Sequence, residues 1–91
     1  MNKEDILKIL KTDLEISGIS RDEMLGNMID LAKAAITREG ITLEDSIDDG
    51  MLIECYAAFL YRKRREEVVS MPRSLRYMLN NRLFSEKGSK K

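Results

Sequence analysis

The sequence predicts an all-α fold, a small bundle of about four helices centred on an antiparallel hairpin of two long helices. Three observations predict it. Apolar residues recur at helical spacing through residues 6–14, 24–36 and 52–60. Gly18, Gly40 and Pro72 fall between these segments, where a chain stops and restarts. No stretch carries the period-two alternation of a half-buried strand.

Asn2 can cap a first helix reaching about Ile16, with Ile6, Leu10 and Leu14 at i, i+4, i+8 and Ile9 beside them. Gly18 suits the left-handed position that ends it. Ser20-Arg21-Asp22-Glu23 reads as a capping box, serine bonding forward and glutamate back, which opens a second helix. Its apolar stripe is Met24, Leu25, Met28, Leu31, Ala32, Ala35 and Ile36. Gly40 stops it with Ile41 placed to close a Schellman contact, a length of about 30 Å at 1.5 Å per residue.

Residues 41–47 form a short connection, and Asp48 or Asp49 caps the third helix. Its inner face reads as Leu52, Cys55, Tyr56, Phe59 and Leu60, its outer side as Glu54 and Lys63, and its end as about Glu67. A connection this short makes helices two and three antiparallel neighbours. Pro72 suits the first turn of a fourth helix, where its missing N–H costs nothing, and Leu75, Met78, Leu79 and Leu83 line one side. Residues 1–84 make one domain, and the glycine, serine and lysine of 85–91 a flexible basic tail. The expected core is Leu25, Met28, Ala32 and Ile36 against Leu52, Tyr56, Phe59 and Leu60, closed by Leu75 and Leu79.

At 91 residues the chain buries only roughly 60–65% of its unfolded surface and gains from association. Cys55 is the single cysteine and histidine is absent, which excludes an internal disulfide, an ordinary zinc site and the commonest general base. No apolar run approaches the roughly 20 residues that span a bilayer. Lys3, Glu4 and Asp5 stand where the apolar core of a secretory leader begins, so the expected location is the cytoplasm. No nucleophile–base pair, phosphate-cradling glycine loop or paired-carboxylate geometry is present, so neither catalysis nor a cofactor is expected. Glu44, Asp45, Asp48 and Asp49 lack the alternating spacing and central glycine of a calcium loop, and capping accounts for them better. Cys55, between aromatics and with no base beside it, reads as a small buried hydrophobe.

Net charge is zero but unevenly divided. Residues 1–47 hold ten acids and six bases, residues 48–91 six acids and ten bases, a division of −4 and +4. Such a split suits head-to-tail association of identical subunits. The run Arg62-Lys63-Arg64-Arg65 extends towards Arg73 and Arg76, giving a basic region over 62–76. Three readings of it stand: a solvated helix end favoured by the dipole, a protein interface, or contacts to nucleic-acid phosphates. Tyr56 and Tyr61, five residues apart, point to different sides of one helix, so one can be core while the other faces a partner. Met51 and Met71, at helix starts, can reach a neighbouring subunit. Candidate partner-facing residues are therefore Tyr61, Arg62, Arg64 and Arg65 at the end of helix three, with Met71, Arg73 and Arg76 beyond it.

The order of these elements, with Tyr56-Ala57-Ala58-Phe59-Leu60-Tyr61-Arg62 and then Met71-Pro72-Arg73-Ser74-Leu75 leading to Leu79-Asn80-Asn81-Arg82, resembles the small head–tail connector and DNA-packaging proteins of tailed phages and prophages. The resemblance spans nearly the whole chain and rests on Tyr56, Tyr61, Arg62, Met71, Pro72, Leu75, Leu79 and Arg82; Asn80-Asn81-Arg82 replaces the Gln-Leu-Arg of one branch. It implies a non-enzymatic adaptor in a ring, commonly of twelve subunits, beneath the portal protein. DNA only passes through that ring, and the next tail or completion protein docks on it. The implied location is the virion, and host cytoplasm during assembly, with no membrane. The alternative reading is a small helical nucleic-acid-binding or regulatory protein using residues 62–76.

Overall fold

Local capping decides where each helix starts and stops. The computed structural model describes residues 1–67 and 70–89, with side chains through Glu86. It contains α1 (Lys3–Asp13), α2 (Asp22–Arg38), α3 (Ile47–Arg64) and α4 (Arg73–Ser89), and no strand among the described residues. The chain is an all-α bundle, as the sequence predicts.

The Asn2 side chain accepts from the Asp5 N–H at 2.8 Å and starts α1 as expected. Its end differs from expectation. Glu15, at φ +57°, takes the left-handed position, and the N–H groups of Glu15 and Ile16 return to the carbonyls of Thr12 and Lys11. This Schellman closure comes three residues before Gly18 and uses a glutamate, a side chain that adopts that conformation only at a cost. Glu66 repeats it at the end of α3, with φ +62° and the bonds Glu66 N–H to Lys63 O and Glu67 N–H to Arg62 O. Among α1, α2 and α3, only α2 ends on glycine, Gly40 at φ +102° donating to Thr37 O, with Ile41 buried behind it.

Two caps correct the sequence reading. The Ser20 capping box does not form: α2 begins at Asp22 after Arg21, which makes no side-chain cap bond, and the Asp22 N–H goes to Ile19 O. For α3 the cap is Ser46, whose hydroxyl accepts from the Asp49 N–H at 3.1 Å, so neither Asp48 nor Asp49 is the cap. Pro72 lies immediately before α4, its carbonyl accepting from Arg76 N–H. Residues 85–89 continue α4 rather than forming the expected tail; Lys90 and Lys91 lie outside the described residues. An Arg82–Glu86 ion pair one turn apart, at 2.9 Å, supports that last stretch.

The spine of the molecule is α3, which packs most extensively on α2, then on α1, and alone provides α4 with a substantial helix contact. The expected core residues Leu25, Met28, Ala32, Ile36, Leu52, Phe59, Leu75 and Leu79 are buried, while Tyr56 and Leu60 are half-buried at its edge. Tyr56 meets Phe59 edge to face, ring centres 6.0 Å apart. The inner face of α2 is rotated from the predicted one: Ile29 is buried and Leu31 exposed, because Ile29 lies one turn from both Leu25 and Ile36's neighbour Ala32. Ile53, Glu54, Ala57, Ala58 and Tyr61 of α3 are buried as well, since neighbours on three sides leave it little outer face. Gly50 is needed where Met1 crosses α3, because an added Cβ would meet the Met1 side chain at 2.8 Å.

Candidate functional site

At the C-terminal end of α3, packing and ion pairs already occupy most of the side chains that the sequence marks as partner-facing. Tyr61, expected to face a partner, is buried, and its hydroxyl accepts from Arg21 at 3.3 Å and Arg65 at 3.1 Å. Arg65 also stacks over the Tyr61 ring and pairs with Glu67 at 3.0 Å. Arg62 reaches Asp13 at the end of α1 at 3.4 Å, and Arg76 pairs with Glu39 at 3.1 Å. Lys63 sits over the Phe59 ring. Met71 is half-buried against the core, and Met51 on α3 is half-buried. Of the basic residues in 62–76, Lys63, Arg64 and Arg73 are exposed without a hydrogen bond or ion pair among the described residues, and of these Lys63 alone lies over an aromatic ring. Solvated pairing within the chain thus accounts for much of the block.

A second polar centre lies where α4 meets the start of α3. Asp49, 2% exposed, accepts from Arg82 Nε at 2.9 Å through one oxygen and from the Glu44 N–H at 2.8 Å through the other. Arg82 also donates to Thr42 O at 2.7 Å and to Glu86 at 2.9 Å. Burial pushes the Asp49 carboxyl up, but Arg82 and the Glu44 amide outweigh it and hold it below the usual aspartate value. Arg82 is raised by the same bonds and stays charged. The cavity beside the pair, about 520 Å³, is lined by Ser46, Asp48 and Ser85. Arg82 and Asp49 thus form a clamp holding α4 to the 42–49 segment.

The third centre is Glu54 on α3, assigned to the outer side by sequence and found 3% exposed. Its Oε2 receives no hydrogen bond. Burial, then the hydrogen bond and charge of Asp13, push its carboxyl up to about 7, with Cys55 and Arg62 opposing. Cys55 lies 3.8 Å from Glu54 Oε1, and burial together with the charges of Glu54 and Asp13 raises its thiol to about 11. A thiol held neutral in this way is a weak nucleophile near neutral pH, and Cys55 is half-buried rather than buried as the sequence predicts. Among the described residues no group of three histidine, cysteine or carboxylate side chains could hold a metal ion. No described helix is long and apolar enough to cross a membrane.

Sequence reasoning missed the Asp49–Arg82 clamp and the burial of Glu54. Ser46 three residues before Asp49 is a legible cap signal. The pairing of Asp49 with a residue 33 positions later has no local signature. Comparison with protein-family models, with curated proteins and with solved structures finds no match.

Proposed function

We propose that the chain is a non-enzymatic structural adaptor of a phage head–tail connector, a subunit of a homo-oligomeric ring set between the portal protein and the next tail component. The observation that carries the reading is the stretch from Tyr56 to Arg82, whose residues build one continuous scaffold. Tyr56 and Phe59 pack on the core side of α3, Pro72 sets the start of α4, Leu75 and Leu79 seat it, and Arg82 clamps it to Asp49. Of the residues on which the resemblance rests, Leu75, Leu79 and Arg82 seat α4 against α3, while Tyr61 and Arg62 tie the end of α3 to Arg21 and to Asp13 of α1. An adaptor needs a rigid subunit with surfaces on more than one side, and this arrangement leaves both the outer side of α4 and the α1–α2 side open to neighbours. A chain of this size also gains stability from burying further apolar surface between subunits.

The test is genetic and structural. In a phage genome carrying this coding sequence, disrupting it is expected to give DNA-filled heads without tails by electron microscopy, restored by the chain supplied in trans. Normal tailed particles from the disrupted genome would overturn the proposal. So would tight, sequence-selective DNA binding by the isolated chain at physiological salt, which belongs to a reader rather than an adaptor.

A further inference from the structure

Most surface helices are apolar on one side only. α4 departs from this. Leu75 and Leu79 are buried against α3, yet on the opposite side Arg73, Tyr77, Asn80 and Phe84 follow at i, i+4, i+7, i+11, a single stripe roughly 16 Å long at 1.5 Å per residue. Tyr77 is 61% and Phe84 79% exposed. The only acid described on α4, Glu86, is engaged by Arg82, so the outer stripe is aromatic, amide and cationic.

The opposite character occurs across the molecule, between α1 and α2. A cleft of about 460 Å³ there is lined by Leu7 and Gly26, which are half-buried, and by Lys3, Glu4 and Glu23, which are exposed at its edge. Gly26 presents no side chain; the Lys3 side chain runs beside it and is paired with Asp30 at 2.9 Å, as Lys11 is with Asp22 at 2.8 Å. Among the described residues Glu4 and Glu23 have neither an ion pair nor a hydrogen bond. The local cations are thus spent and the rim acids are not, whereas Arg73 on α4 is the unspent cation beside an exposed aromatic ring.

We propose that the outer face of α4 docks in the α1–α2 cleft of a second copy of this chain. Tyr77 enters over Leu7 and Gly26, Arg73 pairs with the Glu4–Glu23 rim, and Phe84 extends the contact two turns further along. The inference rests on the adaptor reading and names the subunit contact within it. Charge complementarity commits the surface to this occupant: an acid-free aromatic stripe meets an acid-rimmed apolar cleft, and both belong to every copy. The two surfaces differ, so the contact is heterologous and repeats from subunit to subunit, as a closing ring requires. Residues 62–76 offer fewer cations for such a contact, since most of their arginines are paired within the chain.

The test uses the full chain in sedimentation equilibrium at low salt over a wide concentration range. Wild type is expected to associate, and Tyr77→Ser with Phe84→Ser to weaken association roughly thirtyfold or more, as removal of central aromatic anchors does, while melting as cooperatively as wild type. Arg73→Glu alone and Glu4→Lys with Glu23→Lys alone are each expected to associate poorly, and their mixture to recover. Wild-type association unchanged by the aromatic double variant, or no recovery in the mixture, overturns the docking contact and leaves the adaptor reading standing. A wild-type chain that stays monomeric throughout, with and without its portal, overturns both. Oligonucleotide binding lost in the aromatic double variant with association intact assigns the stripe to nucleic acid instead, and overturns the proposal.

Discussion

Asp49 and Glu54 are both buried carboxyl groups on α3, five residues apart, and they end in opposite states. Asp49 has an arginine and a main-chain amide at its oxygens and is held below its ordinary value. Glu54 is pushed up to about 7 by burial first and then by a second carboxyl, Asp13, as its neighbour. Both are almost wholly shielded from solvent, and burial raises both. What differs is whether the surroundings donate hydrogen bonds to a charged oxygen or present another acid.

The sharpest way to break this contrast is to remove the donor from Asp49. Arg82→Ala leaves a buried carboxylate with one amide for company, and is expected to destabilise the fold by about 3–5 kcal/mol, read by urea unfolding. Pairing it with Asp49→Asn should recover part of that loss. A cost below about 1 kcal/mol would mean that the pair behaves as an exposed one.

Next in size is the pH dependence of Glu54. Its folded value, about 7, lies above the unfolded 4.5, so the folded state holds the proton more tightly. Stability from this group is therefore full below about pH 4.5 and falls as pH rises to about 7, by on the order of 3 kcal/mol. Glu54→Gln should remove that slope, raising stability at pH 8 and changing little at pH 4.5. Asp49 slopes the other way: its contribution is present above the unfolded 3.8 and is lost as pH falls through its lowered folded value. Melting temperatures across pH 3–8 for wild type and Glu54→Gln separate the two, and parallel curves would sink the assignment of Glu54.

Ser46→Ala tests a smaller effect, the loss of the α3 cap without touching the clamp, and is expected to cost about 1 kcal/mol. If it costs as much as Arg82→Ala, cap and clamp are one unit. Smallest in stability is Cys55, whose thiol at about 11 should alkylate far more slowly near neutral pH than a free cysteine. Glu54→Gln should quicken that reaction modestly, because burial and not the neighbouring charge is the larger cause.

The four helices were legible because periodicity and breakers are local: Asn2, Gly40, Pro72, and the spacing of Leu75 and Leu79 stand where the sequence puts them. The misplacements on α3 share a cause. A helix placed among three others buries residues around most of its circumference, so the attempt to choose one inner face for α3 sent Glu54 outward and Tyr61 towards a partner. Apolar residues spread all round residues 52–61 were the available sign of a central helix. The Ser20 box lost to a main-chain turn, and the end of α1 to a left-handed glutamate that propensity disfavours. Which of the arginines were spent depended on Asp13, Glu39 and Asp49, partners that only the tertiary fold brings near.

That α4 has a substantial helix contact with α3 alone bears on how the molecule opens. The hairpin and α1 brace one another from several sides, while α4 is held by one apolar seam and the Arg82 clamp. Its release is therefore the cheapest sub-global excursion from the native state. Amides of α4 should exchange with solvent at a lower free energy than those of α2 and α3. Whatever covers its outer face raises that free energy by mass action. Assembly and local order are then two readouts of one equilibrium, and hydrogen exchange in α4 would report subunit docking.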